Sequence, residues 1–321
     1  MTERRKDIDA IAGLMILWMV FGHLQQVCGT QLQYPNLLFF FMPWFYYKSG
    51  MLFENTFEPL RAQVSKKYHK LFRPFIIYAI VGQIVFTVCL LVEGVDSLKP
   101  YLYSPIRSLF LGGCMSGNTP LWFLPSLFVT QCISTFLLTK KNSPWLWAFV
   151  SIALGFVLSF IDSRFFPTYI KSAFSGIFFF CMGKWLKDWQ YKWWIIIVMV
   201  LGLIVVLLFH ISGFDIRENN SDSNYFIGAL ASLVGCIAIN GLTKWIQPIL
   251  KLRILQYVGR NAMLIYVTHW IVLLLSVRLV ASDLLGIRNN VWLLCIGGIS
   301  YLIIPIYIKL LNYVKSKKNL N

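Results

Sequence analysis

The stretch DAIAGLMILWMVFGH, Asp9 to His23, decides the fold. It follows a basic flank of Arg4, Arg5 and Lys6. From Ile8 to Val27 the chain is almost free of polar side chains. A helix crossing the hydrocarbon core needs about 20 such residues. Its ionisable groups, Asp9 and His23, are separated by about 21 Å along a helix. Ionisable side chains in a span are costly, and they usually face a bundle interior or a wet cavity. His23 is therefore either an interfacial histidine wetted from outside or a functional group facing such a cavity.

The rest of the chain agrees with this reading. Of its 321 residues, 58% are hydrophobic and 13% charged, and mean hydropathy is +0.66. Soluble domains carry about 25% charged residues. Period-two alternation is absent, which argues against a barrel. Backbone groups in lipid must then be satisfied within helices. The expected fold is all-α: one polytopic membrane domain over residues 1–321. The net charge of +16 does not point to nucleic acid, because the cations sit in short loops between apolar runs. The seven cysteines, Cys28, Cys89, Cys114, Cys132, Cys181, Cys236 and Cys295, lie mostly in apolar runs without CxxC or metal-ligand spacing. They read as small core residues. Only Cys28 and Cys114 are placed to meet at an outer face, and no disulfide and no metal site is expected. Gln25-Gln26-Val27 offers no small-residue cleavage site, so the first helix is kept as a span rather than a signal peptide.

Ten spans are expected: Ile8–Val27, Asn36–Phe53, Pro74–Val92, Leu121–Thr139, Pro144–Ile161, Tyr169–Leu186, Trp193–Ile211, Asn224–Leu242, Asn261–Ala281 and Val291–Leu311. With a cytoplasmic N-terminus, 21 Lys and Arg fall on the cytoplasmic side and 7 on the other, Lys48 lying inside a span. The positive-inside rule then puts both termini in the cytoplasm.

Several segments carry more than hydropathy. The second span is crowded with aromatics and holds Lys48, which either snorkels to the cytoplasmic face or meets a partner or cavity. Pro43 is expected to bend it, and Ser49 and Gly50 to allow close helix approach. The Glu54–Arg73 loop carries Arg61, Lys66, Lys67, Lys70 and Arg73 along a plausible helix. Such a segment attracts anionic lipid or receives a polyphosphate ligand; no Walker-type loop and no GxGxxG is present. Tyr101–Asn118 is too polar and Gly-rich to span, and is expected at the outer face or as a re-entrant stretch. His69, in the basic loop, and His210, near an outer end, read as solvated. His269 is buried in the ninth span.

Four places in order resemble the acyltransferase-3 family of integral-membrane acyltransferases, many of which O-acetylate envelope glycans. They are Ile8-Asp9 through Gly22-His23; Phe41-Met42-Pro43-Trp44-Phe45 through Ser49-Gly50; Lys70-Leu71-Phe72-Arg73-Pro74 with Leu121-Trp122-Phe123-Leu124-Pro125; and Gly259-Arg260-Asn261 through Ile265-Tyr266 to His269. The resemblance implies transfer of an acyl group, acetyl in the simplest case, from acyl-CoA to a hydroxyl of an envelope glycan or glycolipid. Acyl-CoA is then a co-substrate, no cofactor is permanently bound, and the chain sits in a bacterial plasma membrane. His23 would be the general base, with a covalent acyl-His23 also open. Lys48 or His269 would stabilise developing negative charge at the thioester carbonyl. Arg61, Lys66, Lys67, Lys70 and Arg73 would hold the donor phosphates. Asp9, Ser49, Trp122 and Asn261 would support the site, Asp9 by organising the cytoplasmic end of the first helix.

There is one departure from the family pattern. The family usually has Arg or Lys eleven residues before its histidine, and here that position is Ala12. Lys48 is the candidate replacement; a catalytically inactive member is the alternative. A carrier or flippase for a polar lipid or glycan also fits polar residues inside spans, although paired inverted halves are missing.

Overall fold

The computed structural model describes residues 5–28, 37–54, 58–92, 94, 99–138, 143–162 and 164–281. All regular structure among them is helical. In chain order the helices are α1 (Lys6–Cys28), α2 (Phe41–Met51), α3 (Leu60–Lys67), α4 (Arg73–Val92), α5 (Lys99–Gly112), α6 (Phe123–Leu138), α7 (Pro144–Ser159), α8 (Thr168–Leu186), α9 (Trp193–Leu208), α10 (Tyr225–Ile246), α11 (Arg253–Arg260) and α12 (Ala262–Ala281). The tenth expected span, Val291–Leu311, lies outside the described residues.

Four of the described helical runs are long and apolar enough to cross a membrane, or five if the bent pair α11–α12 is one span. Their outer faces keep large apolar side chains exposed, such as Ile84 and Val88 on α4. In water that pattern would be unstable, and in lipid it is the expected surface.

The second expected span is different. Its helix covers only Phe41–Met51, about 16 Å at 1.5 Å per residue, shorter than the hydrocarbon core is thick. It lies inside the bundle: Trp44, Tyr46 and Tyr47 are completely buried. The polar tips of these aromatics are matched. Trp44 Nε1 donates to Asn240 Oδ1 at 3.4 Å, Tyr46 OH to Ser126 Oγ at 2.8 Å, and Tyr47 OH to Gln190 Oε1 at 3.0 Å. Pro43 does not bend α2. It falls in the first turn, where a missing N–H leaves no intrahelical bond unmade.

Glycines set the closest packing. A Cβ on Gly50 would collide with the Phe180 carbonyl of α8, and one on Gly183 with the Tyr47 carbonyl of α2. Between α1 and α11 the same holds for Gly13 against Leu255 and Gly259 against Asp9. These contacts bring backbones together as small residues do in membrane bundles.

The basic segment is a helix rather than a loop. α3 runs through a π-helical turn at Tyr68–Phe72 straight into α4. α5 gives the Tyr101–Asn118 segment a helical first part, which ends at Gly112. Cys114 is a buried free thiol.

Candidate active site

Five helices each turn one stripe toward a shared cavity of about 560 Å³. α1 contributes Ile16 and Met19, and α2 contributes Phe45, Lys48 and Ser49. α3 and the π-turn that continues it carry Lys66, Lys67 and Lys70, α6 carries Phe123 and Gln131, and α12 carries Met263 and Tyr266. The spacings are three and four residues, the repeat of one helix face.

One end of the cavity is charged. Lys66, Lys67 and Lys70 stand there with Glu54 and Glu58, and Lys66 Nζ pairs with Glu58 Oε1 at 2.5 Å. Arg61 and Arg73 are exposed and do not line the cavity. Arg61 falls on the opposite face of α3, and Arg73 follows the π-turn, whose wider winding shifts the helix register. Only three of the five expected phosphate ligands therefore share the cavity, and Lys48 joins them. Its ammonium lies 5.4 Å from the centre of the Trp44 ring, within the range of a cation–π contact. Next to it, Gln131 Nε2 donates to Ser49 Oγ at 3.2 Å, and Ser49 Oγ donates to the Phe45 carbonyl at 3.0 Å.

The other end is aromatic. Phe123 meets the Tyr266 ring edge-on at 5.6 Å. The Tyr266 hydroxyl donates to the Pro120 carbonyl, which pins the ring. Tyr266 lies 6.0 Å from His269, ring centre to ring centre. His269 in turn stacks on His23 at 5.4 Å, with planes 26° apart. The two imidazoles expected from sequence are thus brought together, one helical turn beyond the cavity floor on both α1 and α12. His269 is 1% exposed, and His23 is half-buried. Beside His23, nothing lies near Gly22.

Chemistry limits what His269 can do. Its Nδ1 sits 2.7 Å from the Tyr266 carbonyl oxygen. A carbonyl only accepts, so this contact assigns the proton to Nδ1 and leaves Nε2 with a lone pair. In the uncharged ring, His269 offers an acceptor rather than a donor. The expectation that it stabilises an oxyanion meets the wrong tautomer.

Lys48 is likewise placed away from the role of an oxyanion ligand. It shares the level of Ser49 and Gln131, and Gln131 is about 12 Å along α6 from Phe123. It lines the same cavity as the lysines of the mouth.

The supporting residues take structural positions. Asp9 Oδ2 lies 3.7 Å from Arg260 Nε, tying the first turn of α1 to α11. Asn261 stands at the 78° break between α11 and α12, where its Nδ2 donates to the Tyr257 carbonyl at 2.9 Å. Trp122 is buried in the turn before α6 and packs edge-on against Phe123. Asn118, fully buried, donates from Nδ2 to the Val267 carbonyl at 3.0 Å and holds α12 from the side. Sequence reasoning missed Gln131, Tyr266 as the cavity floor, Asn118 and Trp270. Trp270 directly follows His269, and that adjacency was the available signal. Among the described residues no group of three His, Cys, Asp or Glu side chains is placed to hold a metal ion.

The family model described as an acyltransferase domain, that of acyltransferase-3, matches residues 5–310. The chain belongs to the acyltransferase-3 family. No curated protein and no solved structure matches it. Family and apolar helices together make it an integral-membrane acyltransferase.

Proposed function

We propose that this acyltransferase-3 chain, acting as one membrane domain, moves an acetyl group from acetyl-CoA to a hydroxyl of an envelope carbohydrate. The donor binds from the cytoplasm, and the acceptor meets His23 from the opposite side. Ten spans with both termini cytoplasmic, in a bacterial plasma membrane, remain the topology of this reading.

The observation that supports it is the order of groups along the cavity. Lysines stand at one end, and the imidazole pair lies just beyond the other. The Gln131–Phe123 and Tyr266–His269 separations along their helices amount together to about 17 Å. A donor with phosphates at one end and a thioester on an arm about as long as four to five extended residues, about 15 Å, suits that distance. A compact acyl donor would reach only one of the two ends.

In the reaction, a His23 nitrogen takes the proton of the acceptor hydroxyl as its oxygen attacks the thioester carbonyl carbon. The tetrahedral intermediate collapses, the carbon–sulfur bond breaks, and the thiolate leaves with the proton returned from the imidazolium. A positioned general base is worth about 10²–10⁴-fold in rate.

The test is transfer of labelled acetyl from CoA to membrane-associated glycan in membranes containing the protein. Label should appear in the glycan, and His23→Ala should abolish it while membrane insertion is retained. Glycan movement without any CoA requirement would replace this reading with that of a carrier. Undiminished transfer by His23→Ala would remove the general-base mechanism.

A further inference from the structure

The acyl-transfer reading needs a hydrogen-bond donor for the oxygen that becomes negative, and His269 in its assigned tautomer does not supply one. We propose that Trp270 does: its indole Nε1–H is the oxyanion donor of the site. This inference rests on the acyl-transfer reading and adds a catalytic residue to it.

Three observations converge on Trp270. Its ring stands against the His23 ring at 5.4 Å, at 84°. Its Nε1 is buried without a hydrogen-bond partner among the described residues. An indole nitrogen can only donate, and a buried one ordinarily finds an acceptor. The third observation is the neighbouring His269 Nε2, which is also buried and unpartnered among the described residues. One unmatched donor and one unmatched acceptor therefore stand on adjacent residues of α12, both beside His23. A buried polar atom left unpaired is unfavourable, and active sites are where such atoms persist because substrate completes them.

The pair divides the chemistry. As the acceptor oxygen forms its bond to the carbonyl carbon, the carbonyl π electrons move onto oxygen. Trp270 Nε1–H donates to that oxyanion. His23 takes the proton of the attacking hydroxyl, and His269 Nε2 accepts a hydrogen bond from a neighbouring hydroxyl of the acceptor and so orients it. On collapse the oxyanion electrons re-form the carbonyl, the thiolate departs and takes the proton from His23, and Trp270 ends as it began.

The experiment compares wild type, Trp270→Phe and a protein carrying β-(3-benzothienyl)alanine at position 270, with labelled acetyl-CoA as donor. The benzothienyl group keeps the shape of indole and replaces its N–H with sulfur. Losing one oxyanion donor lowers kcat by about 10²–10³-fold in a characterised case. The expected result is a fall in kcat of more than tenfold in both variants with the donor KM nearly unchanged. A smaller fall in the benzothienyl protein, or one carried by KM, would overturn the proposal and leave Trp270 as packing. That protein decides the matter even if Trp270→Phe inserts poorly. Absence of transfer in wild type itself would instead overturn the acyl-transfer reading, so the two failures are distinct.

Discussion

Lys48 and Ala12 carry the departure from the family pattern, and their surroundings determine what each substitution does. Lys48 lines the cavity with Lys66, Lys67 and Lys70, so Lys48→Met should raise the donor KM more than it lowers kcat. That is the signature of lost uniform binding. If Lys48 simply replaced the cation missing at position 12, Ala12→Arg would restore activity to Lys48→Met. Ala12 is 0% exposed and belongs to the buried apolar core together with Ile8, Ile11 and Met15. An arginine there meets a filled core, so Ala12→Arg should reduce folded, membrane-inserted protein and rescue nothing in the Lys48→Met background. A double-mutant cycle on acyl transfer checks both. Recovery of activity in the double variant would show that the two positions share one role.

At the scale of elements, the α3 face and the α1–α11 contact make separate predictions. Lys66, Lys67 and Lys70 line the cavity, whereas Arg61 and Arg73 are exposed away from it. Neutralising Lys67 and Lys70 together should raise the donor KM roughly tenfold or more, since a hydrogen bond to a charged group contributes about 1.5–3 kcal/mol. Neutralising Arg61 and Arg73 should leave the donor KM unchanged. Equal effects of the two pairs would favour a general attraction to anionic lipid. The α1–α11 contact responds to volume instead. A methyl group on Gly259 strikes the Asp9 carbonyl, backbone against backbone. Gly259→Ala should cost about 1–3 kcal/mol, the range for overpacking, read as a lower Tm in detergent. Gly22→Ala, where nothing lies near, is the control and should leave Tm unaltered.

Across the whole molecule, the helix directions and the cavity agree on one orientation. Moving from Asn261 to His269 on α12, from Asp9 to His23 on α1, and from Gln131 to Phe123 on α6 leads from the lysine-rich end toward the imidazoles. A cytoplasmic N-terminus therefore makes the lysine-rich mouth cytoplasmic. A cysteine introduced at exposed Glu58 should resist a membrane-impermeant thiol reagent in intact cells and react once the membrane is opened. Labelling from outside would reverse the orientation, and with it the side from which the donor binds.

Hydropathy, spacing and ordered motifs were enough to read an all-helical membrane acyltransferase and to single out His23 and His269, whose rings stack. Each of those signals is local or periodic, and lipid leaves the backbone little choice but helix. Other features depended on contacts between distant segments. Asn36–Phe53 looks like a lipid-facing span by composition, but Trp44, Tyr46 and Tyr47 fill the bundle centre, and hydropathy cannot distinguish the two. The five cations of the basic helix look alike in sequence; helical phase and the π-turn at Tyr68–Phe72 select three of them. The tautomer of His269 follows from a carbonyl one turn earlier on its own helix, but its consequence depends on which groups pack alongside. Trp270 acquires its significance only from His23, which tertiary packing brings from the first helix of the chain. Which lone pair and which N–H stand unmatched beside His23 is a property of that packing, and no local pattern encodes it.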